Sequence, residues 1–311
     1  MDATWDLVAL GEALVEFNQT QPGQPQYLQG FGGDTSNASI AAARAGARVA
    51  YLSRLGADTF GDALAGLWAH EGVDASAVER DAQHPTGLYF VTHGPQGHAF
   101  SYLRAGSAAS CMTPQWLHAQ AAGVLQRCRV LLVSGISLAI SPQACDTTLE
   151  AMQLARAAGA HVALDPNLRL KLWPLERARA CIAHAVTLCD IFLPGVDDMQ
   201  ALEGLSEPEA IADWGHARGA RLVVVKMGRD GVLLSEKDGL RQRVPGRVVQ
   251  AVDATGAGDC FDGNFLARLA LGDAPVAAVR YANAAASLAV QGYGAVAPLP
   301  TAAAVRAVLA D

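Results

Sequence analysis

Asp253-Ala254-Thr255-Gly256-Ala257-Gly258-Asp259, followed by Cys260-Phe261-Asp262-Gly263-Asn264-Phe265, sets a glycine-rich turn directly before an amphipathic helix. Phe261, Phe265, Leu266 and Leu269 fall on one helical stripe, and Gly272 stands where that helix should stop. The glycines let the backbone approach a ligand without Cβ clashes. The N–H groups of Gly256, Ala257, Gly258 and Asp259 are expected to converge on one point, with the positive end of the helix dipole behind them. That arrangement stabilises an anion. Asp259 would repel a phosphate that was merely held there. It makes chemical sense if it takes a proton from a hydroxyl while the N–H groups steady a phosphoryl group in transfer. A carboxylate that only complemented the helix dipole would contribute about 0.3–1 kcal/mol.

A second segment, Gly30-Phe31-Gly32-Gly33-Asp34-Thr35-Ser36-Asn37, precedes an Ala-rich helix expected from about Ser36 to Ala45, closed by Gly46. Gly32 and Gly33 can bring backbone against something small, and Asp34 and Asn37 offer partners for hydroxyl groups. By itself this is also what an ordinary turn before a helix looks like.

Taken together, the two segments resemble the ribokinase-like (PfkB) family of carbohydrate kinases. That family carries an early Gly-Gly-x-x-x-Asn sugar-binding segment and a late Asp-x-x-Gly-x-Gly-Asp segment, and both stand here in order. Gly11-Glu12, Ser53-Arg54-Leu55-Gly56-Ala57-Asp58 with Phe60-Gly61, and Lys226-Met227-Gly228-Arg229-Asp230-Gly231 extend the likeness over essentially the whole chain. Thr86-Gly87-Leu88-Tyr89, Tyr102-Leu103-Arg104-Ala105-Gly106-Ser107-Ala108, Asp165-Pro166-Asn167-Leu168-Arg169 and Gly292-Tyr293-Gly294-Ala295 look most like the 2-keto-3-deoxygluconate kinases of that family.

The resemblance implies an ATP site built from Lys226, Gly228, Asp230, Gly231, Gly256, Gly258 and Asn283. Asn167 and Arg169 would reach the phosphates, with Arg169 also a candidate for the substrate. Mg²⁺ would neutralise the β- and γ-phosphate oxygens. Here the chain departs from the family: its usual Asn-x-x-Glu segment is Gly195-Val196-Asp197-Asp198. Asp198 could still hold a metal-bound water, but the Asn is missing. Asp253, with Thr255 and carbonyls near Gly294, is the candidate seat of a monovalent cation such as K⁺, as in some relatives.

The elements that must position these groups alternate between strand and helix. Strand-length apolar runs stand at 7–11, 49–53, 130–135, 162–165, 191–193, 222–226 and 232–235. Helical patterns at 62–71, 143–158, 175–189 and 207–218 separate most of them. Such runs between helices signal an α/β fold, a mostly parallel central sheet with helices on both faces, within a single domain over 1–311. Ligands on such sheets gather at the carboxyl ends of the strands. Residues 87–93 and 98–104, joined by Gly94-Pro95-Gln96-Gly97, read as a β-hairpin. In the resembling family this hairpin and the stretch near 14–30 form a small β-sheet lid, here about 14–34 and 86–106, often paired with that of a second subunit. Phosphoryl transfer must exclude water, and exposed apolar lid surface is best buried in a homodimer.

Composition agrees. The chain has 311 residues, 51% hydrophobic, with a formal net charge of −7. No basic footprint points to nucleic acid, and no apolar run reaches the roughly 18 residues of a membrane span. Met1–Asp6 is acidic and short of apolar residues, so no signal peptide is expected. Six cysteines without a Cys-x-x-Cys pair imply reduced thiols and a cytoplasmic location without a structural metal. Cys260 is expected to face the core, and Lys171 the surface.

On the presumed lid, Arg104 lies beside Tyr102, with Tyr89 on the facing strand. A guanidinium fork matches a carboxylate, and tyrosines add flat surface with a hydroxyl. A sugar acid would satisfy that set, whereas a neutral sugar would leave Arg104 without a charged partner. On spacing alone Arg104 reads as a solvated charge on an edge strand; the resemblance makes it a reader of a carboxylate and implies 2-keto-3-deoxygluconate as substrate, phosphorylated at its terminal (6-) hydroxyl with Asp259 as base. A fructokinase or ribokinase activity is the nearest alternative, and a non-catalytic sugar or nucleotide sensor a more distant one. A nicotinamide-binding oxidoreductase fails, because Leu10-Gly11-Glu12 opens no Gly-x-Gly-x-x-Gly helix. No Walker-type P-loop is present either.

Overall fold

A computed structural model describes residues 3–94 and 97–310. Its strands are β1 (Trp5–Leu10), β2 (Leu14–Gln19), β3 (Tyr27–Gly32), β4 (Val49–Leu52) and β5 (Arg54–Gly56). After them come β6 (Val73–Asp74), β7 (Glu79–Asp81), β8 (Leu88–Gly94), β9 (Gly97–Leu103) and β10 (Cys128–Ser134). The last are β11 (His161–Asp165), β12 (Ile191–Phe192), β13 (Leu222–Lys226), β14 (Val232–Glu236) and β15 (Arg241–Val244). The principal helices are α1 (Asp34–Arg44), α2 (Thr59–Glu71), α3 (Pro142–Ala157), α4 (Leu175–Thr187) and α5 (Val196–Glu203). They continue with α6 (Pro208–Ala217), α7 (Ala257–Ala270), α8 (Pro275–Ala289) and α9 (Ala302–Ala310).

Nine strands form one sheet in the order β15-β14-β13-β12-β11-β10-β1-β4-β6. From β13 through β6 every pairing is parallel, and β14 and β15 add an antiparallel edge. Alternation along each strand feeds two cores. Leu7, Ala9, Tyr51, Leu132 and Val224 pack toward α1, α2, α7, α8 and α9. Val8, Leu10, Leu52, Val133 and Val225 pack toward α3, α4, α5 and α6. A strand buried on both faces must be apolar at every position, which is why these strands read as continuous Val/Leu runs.

Every expected strand and helix is found, with edges shifted by one to three residues. Helix α1 starts at Asp34, two residues before the expected Ser36, and α7 ends before Gly272, whose φ is +98°. Strand β15, Arg-Gln-Arg-Val, lacks an apolar run because it is the exposed edge. The short parallel pair β5–β7 was also not legible.

A separate four-stranded sheet has the order β3-β2-β8-β9. Strands β8 and β9 are the expected hairpin, in register Tyr89↔Tyr102. The central residues of its turn, Pro95 and Gln96, lie outside the described residues. Strand β3 ends at Gly32, so Asp34 belongs to α1 and not to this sheet.

Candidate active site

The small sheet and the carboxyl ends of the main strands border a cavity of about 1330 Å³. Its lining brings together Gly33, Asp34, Asn37, Tyr89, Tyr102, Arg104, Asn167, Arg169, Asp198, Lys226, Gly228, Asp230 and the 254–259 turn with Asp259. Four other expected residues are not in this lining. Gly32 stands where an added Cβ would lie 2.5 Å from the Tyr89 hydroxyl, so its smallness serves packing. Gly231 shapes the turn after β13 at φ +92°. Asn283, on α8, donates its amide to the Pro245 carbonyl at 3.1 Å and so anchors a lining loop. Asp253 accepts from the N–H and hydroxyl of Thr255 at 2.9 and 2.7 Å, and from the Gly294 N–H at 2.9 Å. Its carboxylate ties two loops together.

Asp259 and the sugar-binding segment meet directly. Asn37 Nδ2 donates to Asp259 Oδ2 at 2.8 Å, across 222 residues of sequence. Gly33 makes this possible. At φ +106° its missing Cβ would lie 2.4 Å from the Glu12 carbonyl, so α1 starts hard against the end of the first strand. Asp34 in turn accepts from Asn167 Nδ2 at 2.9 Å. The floor of the cavity is thus two carboxylates and two amides interleaved.

The electrostatics suit a base. Burial, then the Asp34 carboxylate and more weakly that of Asp165, push Asp259 up to about 7, against the lowering effect of Asn37 and Lys226. Turnover that uses ionised Asp259 should rise with pH through about 7 and level off above it. A rate versus pH series between about pH 5 and 9 checks this; a flat profile would remove Asp259 from proton transfer.

The anion-stabilising turn is narrower than the sequence implies. Gly256 caps α7 in the left-handed region at φ +72°, with no side chain spending its donors. However, the Ala257 N–H donates to the Ala254 carbonyl at 3.2 Å. Among the described residues the N–H groups of Gly256, Gly258 and Asp259 have no protein acceptor, and these are the donors left for a ligand.

Arg104 is already paired. Its Nε donates to Glu12 Oε2 at 2.7 Å, and Ser107 donates to the other oxygen of the same carboxylate. Glu12 is 1% exposed, so this is a buried ion pair. The expectation that a neutral sugar would leave Arg104 without a charged partner is therefore corrected: Glu12 supplies one. Glu12 stands at the end of the first strand, where cavity residues gather, and that position was the signal that could have found it. Tyr89 likewise donates to buried Glu16. Arg169 lines the cavity while its Nη1 donates to the Leu168 carbonyl at 2.8 Å. Lys171 is exposed, as expected, but at the cavity mouth. Cys260 is fully buried, and burial, with Asp259 beside it, pushes its thiol up to about 12, so it stays protonated.

Asp262 is a further charged residue that the motif reading passed over. It lies one turn after Asp259 on α7, 2% exposed, and takes two contacts from Lys226 Nζ at 2.9 and 3.2 Å. Lys226 also donates to Asp165 Oδ2 at 2.8 Å. Asp198 lines the cavity at the start of α5. Burial, then the Asp165 charge, push it up to about 6. Such a carboxylate gains by meeting a cation, which is what a metal-binding position requires. Among the described residues no cluster of three His, Cys, Asp or Glu side chains could hold a metal by itself.

The pfkB family carbohydrate kinase model matches residues 5–302 of this chain. The chain belongs to that family. The kinase is 33% identical to fructokinase-1 of Oryza sativa subsp. japonica, over 95% of this chain and 94% of the relative. It is 32% identical to the 2-dehydro-3-deoxygluconokinase of Bacillus subtilis, over 95% and 93%. Its fold superposes on a putative ribokinase II from E. coli, solved in complex with ATP and Mg²⁺, with a TM-score of 0.89. That comparison has 26% identity and covers 100% of this chain and 99% of the other. Among the described residues no helix is long and apolar enough to cross a membrane.

Proposed function

We propose that this kinase transfers the γ-phosphoryl group of MgATP to the terminal (6-) hydroxyl of 2-keto-3-deoxygluconate, giving 2-keto-3-deoxy-6-phosphogluconate and ADP. The observation that carries this reading is that Arg104, Tyr102 and Tyr89 line the same cavity as Asp259. Arg104 has more donors than Glu12 uses, so it can share its charge with a substrate carboxylate.

Asp259, ionised, accepts the proton as the sugar O–H bond breaks. The freed oxygen forms a bond to the γ-phosphorus in line. The bond from that phosphorus to the β,γ-bridging oxygen breaks, and its electron pair leaves on ADP. Asn37 holds Asp259 Oδ2, leaving the other oxygen for the hydroxyl. The N–H groups of Gly256, Gly258 and Asp259 steady the charge on the transferred group. Gly228 and Asp230 border the nucleotide side of the cavity, and Asn167 and Arg169 the phosphate region between the two substrates. Asp198, through water, would hold Mg²⁺, which supplies charge neutralisation on the phosphate oxygens. Asp253, if it serves a monovalent cation, does so by fixing the 253–256 turn to Gly294.

The small sheet acts as a lid over the sugar, inserted in a single kinase domain over 1–311. Its outer strands expose Leu28 at 69% and Leu103 at 60%, with Tyr27, Phe100 and Tyr102 nearby. A second copy of the chain would cover them in a homodimer.

The Glu12–Arg104 pair favours one second reading, a kinase of a neutral sugar such as fructose, because a neutral ligand leaves no charge uncompensated there. ADP release with the two sugars run side by side separates the readings. Removing Arg104 alone would strand a buried carboxylate. The informative variant is therefore Arg104→Leu combined with Glu12→Gln. It should weaken the sugar acid by about 1.5–3 kcal/mol, the scale of a charged hydrogen bond. Turnover of fructose should be spared. Equal losses on both sugars would make the pair structural.

A further inference from the structure

Lys226 lies at the end of β13, yet its ammonium reaches across β12 to Asp165 at the end of β11 and up to Asp262 on α7. Its side chain is 16% exposed, and those of its partners 8% and 3%. One cation thus shares two nearly buried carboxylates. The same nitrogen sits 3.7 Å from where a Cβ on Gly258 would begin, so it lies against the residue preceding Asp259. A chain that only needed to fold would not place a lysine and two aspartates here. An apolar triplet of the same volume is often as stable or more so.

We propose that Lys226, clamped by Asp165 and Asp262, is a positioning residue that sets the acidity of Asp259 and thereby the pH range of the kinase. This rests on Asp259 being the general base. The charged and titratable groups facing Asp259 are Asp34 on α1, Tyr89 on β8, Asp165 at the end of β11, Lys226 at the end of β13, and Cys260 on its own helix. Asn37 is its hydrogen-bond donor. Lys226 is the one cation in this set. Burial and the Asp34 and Asp165 carboxylates raise Asp259; the Asn37 hydrogen bond and then the Lys226 ammonium lower it, and of these two only Lys226 carries a charge. The clamp fixes where that positive charge stands. With both carboxylates engaged, the ammonium cannot swing away with a departing phosphate, so the base keeps its acidity through the cycle. It also ties α7 to the sheet one turn below the base.

The test is the pH dependence of kcat/KM for the sugar, with KM for MgATP measured alongside, in three variants and in Asp259→Asn. Lys226→Met should move the acid limb to higher pH by about one unit, the smaller end of what a neighbouring charge contributes. Asp165→Asn removes a carboxylate that raises Asp259 and should move it to lower pH. The double variant, which replaces the ion pair with two neutral groups, should return close to the starting profile. KM for MgATP should change less than about threefold throughout, since a group that does not touch the nucleotide leaves its binding alone. If Lys226→Met fails to fold, the other two variants carry the same contrast. Unmoved limbs with uniformly lower rates would overturn the proposal. So would a rise in KM for MgATP of about tenfold or more with the limb in place, which would make Lys226 a phosphate contact. Near-normal turnover by Asp259→Asn would instead sink the general base itself, and is read independently of the limbs.

Discussion

Asp259→Asn is expected to lower kcat by about 10²–10⁴ while leaving MgATP affinity close to that of the unaltered kinase. The side chain keeps its size and its hydrogen bond with Asn37 once the amides rotate. What disappears is the proton acceptor that the proposed transfer requires, at the point where the glycine turn and α1 converge. Near-normal turnover would remove Asp259 from the mechanism. The same change should raise the melting temperature. In the folded protein Asp259 holds its proton up to about pH 7, against an ordinary value of 3.8. Between those limits the folded state binds a proton that the unfolded chain releases, so stability falls as pH rises through that window and stays low above it. An asparagine carries no such penalty. Its gain in Tm should be full above about pH 7 and fade toward pH 4. Thermal unfolding of both forms across that range measures it, and a constant gain would mean that Asp259 is not the titrating group. The base is held in place at the expense of the fold.

Gly263→Ala should have the second largest effect, although residue 263 touches no substrate. A Cβ there would lie 2.1 Å from the Ala38 carbonyl oxygen and 2.8 Å from its carbon, both main-chain atoms that cannot rotate away. Ala38 follows Asn37, and Gly263 is one turn beyond Asp259. This is where α7 and α1 come closest. Alanine favours a helix by roughly 0.8–1.0 kcal/mol over glycine, but relieving the clash requires the two helices to part by about 1 Å. Overpacking of that kind costs about 1–3 kcal/mol, so the net effect is a loss of stability. A displacement near 1 Å between Asn37 and Asp259 should also lower kcat on the order of 10²-fold. Chemical denaturation together with kcat checks both halves. A variant that lost stability but kept its turnover would show that Asn37 does not place Asp259.

Much of this was legible in the chain. The strands showed as apolar runs because both faces of the sheet are covered, and α7 showed because its glycine turn and apolar stripe are local signals. The pairing of the small sheet was only half visible. Strands β8 and β9 are a hairpin with a local turn, whereas β2 joins β8 in parallel from 73 positions away, as at Val15↔Leu88, and nothing local marks that. The site shows the same division. Asp259, Asn37 and Asp34 could be named from motifs, since their spacing is short-range. The pairings of two other cavity residues, Arg104 with Glu12 and Lys226 with Asp262, join segments far apart in sequence, which no local motif shows. Arg104 illustrates the cost: read on its strand it is an unattended charge, and read in the fold it is half of a buried pair.

The sequence separation of 222 between Asn37 and Asp259 also bears on synthesis. Contacts of such long sequence separation form late and slowly. On a ribosome, strands β1 to β13 and the sugar-side residues would emerge well before α7. A nascent chain therefore has an unfinished cleft, lacking Asp259 and the 254–259 turn that line it. The lining of the cavity is complete only when the last fifth of the chain has folded.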